Sequence, residues 1–544
     1  MTSVNALLPV LQGPTDKEKK YDRQLRLWAA SGQQALEDAH LLLLNSGGGT
    51  VGVETLKNLV LPGIGKFTIA DAANVEEADL GVNFFLDEES LGKSRAESCV
   101  KLLLELNPDV KGEWFQSKKA NILWNLMHEA KKTNCGIQGE DSFDVQQKYT
   151  IILYSYPIEP QTLKAAQSYA LEHKVPLIAI HSAGFYSYFR TFLPSSFPIV
   201  DTHPDSTATT DLRLLTPWEE LSKFAADLTK NIDGQSAHEH GHIPWIALIL
   251  HFLTKWEVDH GSLPSTYKDK TAFRKLVSDA TRTDNAEGGE ENFEEAVAAV
   301  LKTVSAPTLS SSVREVFDYK PNEVESSSSF WIIADAIKQF HQKHNQLPLP
   351  GSVPDMKAQS TVYVQLQNIY KSKARQDVAE VLETVRAHPG GKDIDVAEVE
   401  SFCKNAAFIK LIHGGDLKKH LDPDFATLGK ELKSDEDAAM FMTPLSLLPI
   451  YLSLEATSHV SSLSSSDILA TIDKTIPGAS SNTRLVQITE EVARAKGGEL
   501  HNISALTGGM VAQEVIKIIT RQYIPIDNLC IFDGISSRAQ VLRI

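Results

Sequence analysis

Cysteine is scarce in this chain: 544 residues contain four, Cys99, Cys135, Cys403 and Cys530. None forms a C-x-x-C pair and all four lie far apart, which excludes a zinc framework of paired thiolates and fits a reducing compartment. Cytoplasm and nucleus are the expected locations. Positive charge is in deficit as well. With 53 Lys and Arg against 70 Asp and Glu the net charge is −17, the wrong sign for a primary nucleic-acid partner, because phosphate binding relies on clustered cations. Long apolar runs are also missing. The longest candidate, Ile243 to Phe252, is interrupted by Pro244 and followed by Lys255, so it reads as a buried helix and no membrane is expected. The opening MTSVNALLPVLQGPTDKEKK has no basic segment ahead of an apolar core, so no secretory targeting is expected either.

What remains is an ordinary globular composition, 42% hydrophobic and 23% charged, in a chain too long for one core. Its clearest local pattern lies at 40–71. A strand (HLLLLN) runs into a glycine loop, Ser46 to Gly52, then a helix to Leu61, a turn, and a second strand ending at Asp71. Gly47, Gly49 and Gly52 satisfy G-x-G-x-x-G, and Asp71 stands where a ribose-binding acid belongs. A motif of this kind marks a dinucleotide site or a relic of one. Side chains to handle a triphosphate should follow Asp71, yet the chain offers Ala72, Ala73, Val82 and Asn83.

Ahead of this unit, residues 21–30 and 31–38 predict two short helices. Behind it, Ser94 to Leu106 predicts an amphipathic helix ended by Asn107-Pro108, and 133–147 a polar loop. Strand patterns return at Tyr149 to Leu153, Pro176 to Ile180 and Gly184 to Leu193. Strands alternating with helices imply a mostly parallel α/β sheet. Beyond Asp205 the pattern is helical, at 217–230, 244–257, 291–304, 329–343, 360–388 and 396–413. Acidic or Ser-rich connectors such as Asp284 to Glu291 and Ser458 to Ser466 separate these segments. From about 484 strand texture reappears at Arg484 to Ile488, followed by a helix from Gly509 to Thr520 and strands near 528–532 and 540–544. The expected architecture is a doubly wound, Rossmann-like α/β domain built from 1–205 and 481–544, interrupted by a helical insertion at 206–480.

Several strings together resemble the adenylation domains of ubiquitin-like-modifier activating enzymes, and most closely the regulatory subunits of neddylation-activating enzymes. They are YDRQLRLW at 21–28, LKNLVLPGIGKFTIAD at 56–71, NFFL at 83–86, LGKSRAE at 91–97, FPIVDTHPD at 197–205, STYKDK and ENFEEA in the helical region, VPDM at 353–356 and GGMVAQEVIKIITRQ at 508–522. The match thins at 110–148 and 415–480. An active adenylation domain of that superfamily carries G-x-G-G-x-G, a D-x-D pair, N-L-x-R-Q-F, a lysine in G-x-x-K, and a magnesium-binding Asp after a later strand. Here the fourth loop position is Thr50, the second acid is Ala73, Val82 replaces the arginine and Arg95 the lysine. The strand at 150–153 runs into Tyr154-Ser155-Tyr156-Pro157 with no carboxylate. A Mg-triphosphate needs cationic donors and an anionic metal ligand together. The resemblance therefore implies a pseudo-adenylation domain with no catalytic residue, no metal ligand and no cofactor of its own. ATP and magnesium are expected on a catalytic partner subunit, with a ubiquitin-like modifier and, indirectly, a conjugating enzyme as further partners.

One arginine of the family pattern is kept. Arg23 matches the arginine of the Y-x-R-Q segment that reaches, in trans, the ATP held by the partner domain, and a guanidinium suits phosphate oxygens. The bland reading makes Arg23 a surface residue paired with Asp22. Catalytic subunits also need a thioester-forming cysteine. Cys99, Cys403 and Cys530 read as packed, and Cys135 as an exposed thiol in the polar loop, with no motif marking a nucleophile. His238, His240 and His242 alternate and can be drawn as a chelate, but solvated loop residues weigh more before Pro244. Trp245, Trp256 and Trp331 read as core, and Glu287 to Glu295 as a solvated loop and helix start. Two rival functions stay open: a self-sufficient dinucleotide-dependent oxidoreductase, and the regulatory subunit of the sumoylation-activating heterodimer. The large insertion and the strings at 197–205 and 353–356 weigh against the second.

Overall fold

Strands β1 (His40–Leu44) and β4 (Ile151–Ser155) are buried along their whole length, the pattern of strands covered by helices on both faces. Burying each leucine of β1 contributes roughly 1.5–3 kcal/mol. The computed structural model describes residues 13–116, 149–205, 211–283, 289–306, 308–414, 425–439, 444–460 and 462–544. The remaining strands are β2 (Lys66–Ala70), β3 (Lys111–Phe115), β5 (Leu177–Ala183), β6 (Tyr186–Phe192), β7 (Phe197–Val200), β8 (Ile409–Ile412), β9 (Leu529–Asp533) and β10 (Arg538–Leu542). Eight of them form one sheet in the order β10-β9-β6-β5-β4-β1-β2-β3. The pairs β3–β2, β2–β1, β1–β4 and β4–β5 are parallel, whereas β5–β6, β6–β9 and β9–β10 are antiparallel. The chain thus winds outward in one direction from β1 and in the other from β4. The crevice at their carboxyl ends is the switch point where α/β sheets of this kind take ligands.

Helices α1 (Asp22–Glu37), α2 (Thr50–Val60), α3 (Arg95–Leu104), α4 (Pro160–His173), α5 (Leu448–Thr457), α6 (Thr483–Ala495) and α7 (His501–Thr520) surround this sheet. By length and apolarity α7 alone among the described helices matches a bilayer span, a length the apolar-run reading of the sequence did not single out. Yet 67% of that window is buried inside the fold. Val511, Val515 and Ile519 share a core with Leu41, Leu43 and Leu56, so α7 is a core helix.

The chain divides into two compact units, 1–199 with 412–544, and 200–411. Return to the sheet-bearing unit therefore comes near Ile412, well before the expected 481. Residues Leu448, Ile450, Tyr451, Ile468 and Ile472 pack with Tyr186 and Tyr188 of β6 and Ile531 of β9. Helical periodicity identifies a buried face without saying which core receives it. The strand expected at Arg484 to Ile488 is the start of α6. Asn482 caps it by accepting from the Leu485 N–H at 2.8 Å, and Leu485, Ile488 and Val492 line its buried side at helical spacing.

The second unit is helical. Its segments Glu219–Thr229, Trp245–His260, Tyr267–Asp279 and Glu291–Thr303 bury Trp245, Trp256, Phe273 and Phe293 in one core. A second core gathers Trp331 and Ile333 of Ser329–His344, Val381 of Ser360–Ala387, and Cys403 of Val396–Lys404. The three tryptophans read as core are buried as expected. Part of the acidic connector at 284–288, and the polar loop at 133–147, lie outside the described residues.

Candidate functional site

The glycine loop turns the chain from β1 into α2 at the switch point. Gly47 has φ +62°, and a Cβ there would sit 2.9 Å from the Tyr156 carbonyl oxygen and from Pro157 Cδ. Gly49, the residue that caps α2, has φ +68° and would place a Cβ 2.4 Å from Asn45 Nδ2. Both positions demand glycine for backbone reasons alone, whether or not a ligand binds. The β4 end is stitched to the loop: Ser155 Oγ accepts from the Ser46 N–H at 2.8 Å, and Ser46 Oγ donates to the Ser155 carbonyl at 2.7 Å. No carboxylate stands at Tyr154 to Pro157.

The first turn of α2 presents backbone N–H groups with no partner inside the helix, ordinarily an anion site. Here it receives Glu499, from the turn between α6 and α7. The Val51 N–H donates to Glu499 Oε2 at 2.8 Å, and Ser504 Oγ donates to the same oxygen at 2.6 Å. Gly48 lies directly beneath; a Cβ on it would meet Glu499 Oε1 at 2.9 Å. Burial raises the Glu499 carboxyl above its ordinary range, opposed by Ser504, the Val51 and Thr50 N–H groups and the charge of Arg95. Thr50 Oγ1, buried at the head of the helix, has no hydrogen-bond partner.

Asp71, the expected ribose acid, is equally committed. It accepts from Arg95 Nε at 2.7 Å, Arg95 Nη2 at 3.2 Å, Asn45 Nδ2 at 2.9 Å and the Ala73 N–H at 2.9 Å. Arg95 Nη1 donates to the Gly48 carbonyl and to Asp79 Oδ1, each at 3.2 Å. Arg95, Asp71 and Asp79 are all buried. The cation closest to the loop thus serves two internal carboxylates, in the forked geometry that makes such pairs strong. Val82 offers only its carbonyl, which lies 3.0 Å from His501 Nδ1, and the exposed Phe84 stacks on that imidazole at 3.7 Å. These residues do not fit a Mg-triphosphate: the nearest guanidinium is neutralised, an anion of the chain already caps the helix, and no carboxylate stands at the end of β4.

Arg23 contrasts with all this. It lies exposed in the first turns of α1 and makes no ion pair or hydrogen bond among the described residues. Asp22, its expected local partner, pairs instead with Arg26, Nη2 to Oδ2 at 3.0 Å. Helix α1 breaks at Trp28 and Ala29, where Ala29 has φ 57°. The carbonyls freed by the break are taken by other groups: Gln522 Nε2 donates to the Trp28 oxygen at 2.9 Å, and the Tyr523 hydroxyl to that of Leu27 at 3.2 Å.

The other candidates resolve readily. Cys99, Cys403 and Cys530 are buried, and burial pushes the Cys99 and Cys403 thiols up to about 12 and Cys530 to about 11. A thioester-forming nucleophile needs the opposite shift. Cys135 lies outside the described residues. His240 departs from the solvated-loop reading. It is buried in a short helical turn, with Nδ1 2.6 Å from Glu290 Oε1 and its ring stacked on Phe293. His242 Nδ1 lies 2.7 Å from the His238 carbonyl oxygen. Among the described residues no group of three His, Cys, Asp or Glu is placed to hold a metal. Sequence reasoning missed Glu499, whose one local signal is an acid between a glycine pair and a helix start, in Gly497-Gly498-Glu499-Leu500-His501.

Residues 21–544 match the model of the ThiF family. Three full-length relatives are all called NEDD8-activating enzyme E1 regulatory subunits. The one from Danio rerio is 33% identical over 560 residues, covering 97% of this chain and 99% of its own. The one from Xenopus laevis is 33% identical, covering 95% and 97%. The subunit named AXR1 from Arabidopsis thaliana is 32% identical, covering 97% of each.

Proposed function

The chain belongs to the ThiF family and, within it, to the NEDD8-activating enzyme E1 regulatory subunits, and from that membership we propose that it is the noncatalytic half of a heterodimer. Its partner, the catalytic subunit, brings ATP, magnesium and the cysteine that takes the modifier as a thioester. This chain holds that subunit in working form and helps to hold the ubiquitin-like modifier, in the cytoplasm and nucleus, with the conjugating enzyme acting downstream. The observation that carries the reading is the committed state of the cradle, where Arg95 is engaged by Asp71 and Asp79. A dinucleotide-dependent oxidoreductase would need Asp71 available to a ribose, and its carboxylate already accepts four hydrogen bonds.

Within this reading Arg23 acts in trans. Its exposed guanidinium neutralises charge on the partner's ATP while the modifier's C-terminal carboxylate attacks the α-phosphate and pyrophosphate leaves. Tagged chain should recover the catalytic subunit one to one, and ATP–pyrophosphate exchange should need that subunit and the modifier. Arg23→Ala should leave recovery intact and slow exchange by on the order of 100-fold, the usual loss for one donor to transition-state charge. Exchange at an unchanged rate would remove Arg23 from the mechanism, and exchange by the isolated chain would overturn the noncatalytic assignment.

A further inference from the structure

The glycine loop keeps the geometry of an anion site, and the anion it holds comes from the chain itself. The Val51 N–H at the head of α2 points at Glu499 Oε2, 2.8 Å away, and Ser504 Oγ closes on the same oxygen at 2.6 Å. Gly48 is bare beneath the carboxylate, so nothing separates loop backbone from Oε1. Arg95 contributes favourable charge from the far side, its Nη1 on the Gly48 carbonyl. Beside these donors sits Thr50 Oγ1, buried and unpartnered. A carboxylate held by helix N–H groups, a hydroxyl and a nearby guanidinium is in the setting that otherwise holds a phosphate.

We propose that Glu499 is a built-in anionic ligand of the glycine loop, satisfying the α2 N-terminus and closing a latent phosphate-binding site. The reach of this contact is long: Glu499 is 448 residues from Val51 along the chain. The last 50 residues thereby complete the loop that the first 50 begin. This accounts for the glycine at position 48, which leaves room for the carboxylate as it would for a phosphate. The inference deepens the reading of the cradle as noncatalytic without depending on any partner. Its test uses inorganic phosphate, so its failure is separate from failure of the exchange assay.

Glu499→Ala, made in the full-length chain, vacates the carboxylate position and leaves the donors in place. Thermal unfolding is followed in chloride and in inorganic phosphate at equal ionic strength. The wild type sets the general salting effect of phosphate. The variant should melt lower in chloride, and added phosphate should raise its midpoint beyond the wild-type response, saturating in the millimolar range. A folded variant whose response equals that of the wild type overturns the proposal, as does a variant that fails to fold in chloride and in phosphate alike. Glu499→Gln supplies an independent reading because it keeps the shape and loses the charge. Amide hydrogens in the segment 47–53 should then exchange at least about tenfold faster while those of β1 do not change. Exchange indistinguishable from wild type there also overturns the proposal.

Discussion

At the glycine loop, the Val51 N–H, the Arg95 fork and the Asp71 carboxylate all have internal partners. At Arg23, on the same compact unit, a guanidinium stands exposed with none among the described residues. The first region carries the stronger motif and the second the weaker one, so motif strength and readiness to bind run in opposite directions. A glycine loop reports the shape of the backbone, because tight turns need positive φ whether or not phosphate follows. Hydrogen-bonding capacity left unused reports what can still bind. Internal ion pairs reduce that capacity as substitutions do, and Arg95 shows it: a cation sits beside the loop with its guanidinium engaged by Asp71, Asp79 and the Gly48 carbonyl.

The sharpest way to break this contrast is to compare the two arginines by stability. Arg95→Met leaves Asp71 and Asp79 buried without their counter-charge, and should cost about 3–5 kcal/mol in urea unfolding. Arg23→Met should stay within about 0.5 kcal/mol, as expected for an exposed side chain. Equal costs would mean that Arg23 is structural and that the contrast is false.

A pH series separates the buried region from the exposed one by its protons. His40 and His181 are buried on the sheet and burial lowers both to about 4 from the usual 6.5. The folded state therefore binds fewer protons than the unfolded chain between these values. The stability these histidines provide is complete above pH 6.5 and is lost as pH falls toward 4, at about 3 kcal/mol for each. His181→Asn, measured by chemical unfolding at pH 7 and at pH 4.5, should lose less stability over that interval than the wild type. An equal loss would contradict the burial of His181 as a neutral ring.

A small effect is expected at Thr50. Its hydroxyl is buried without a partner, so Thr50→Val should be neutral or stabilising by up to about 1 kcal/mol in the same assay. A destabilised valine variant would show that the hydroxyl engages something in solution, and would move the loop toward the open character of Arg23.

Much of the fold was legible because it rests on local patterns. HLLLLN, the glycine loop and the run to Asp71 became β1, α2 and β2 with their expected order, and the return to strands near 528–532 and 540–544 became β9 and β10. Arg484 to Ile488 was misread because five residues cannot separate a period of 2 from one of 3.6; Val492, a turn further on, settles it as helix. The pairing of Arg26 with Asp22 was open to sequence reasoning, since i and i+4 on a helix face one another. The burial of His240 was not, because its partner Glu290 lies 50 residues away.

The amino-acid order by itself determined the strand-loop-helix unit, the valine at position 82, the lack of a carboxylate from Tyr154 to Pro157, and the family resemblance, since all of these reside in contiguous residues. Tertiary structure alone decided that Glu499 caps α2, that Arg95 serves Asp71 and Asp79, and that 412–480 joins the sheet-bearing unit. The physical reason is range. Periodicity and turn chemistry act over a few residues, whereas the partner of a buried charge is whatever the fold brings within about 3 Å of it, at any distance along the chain.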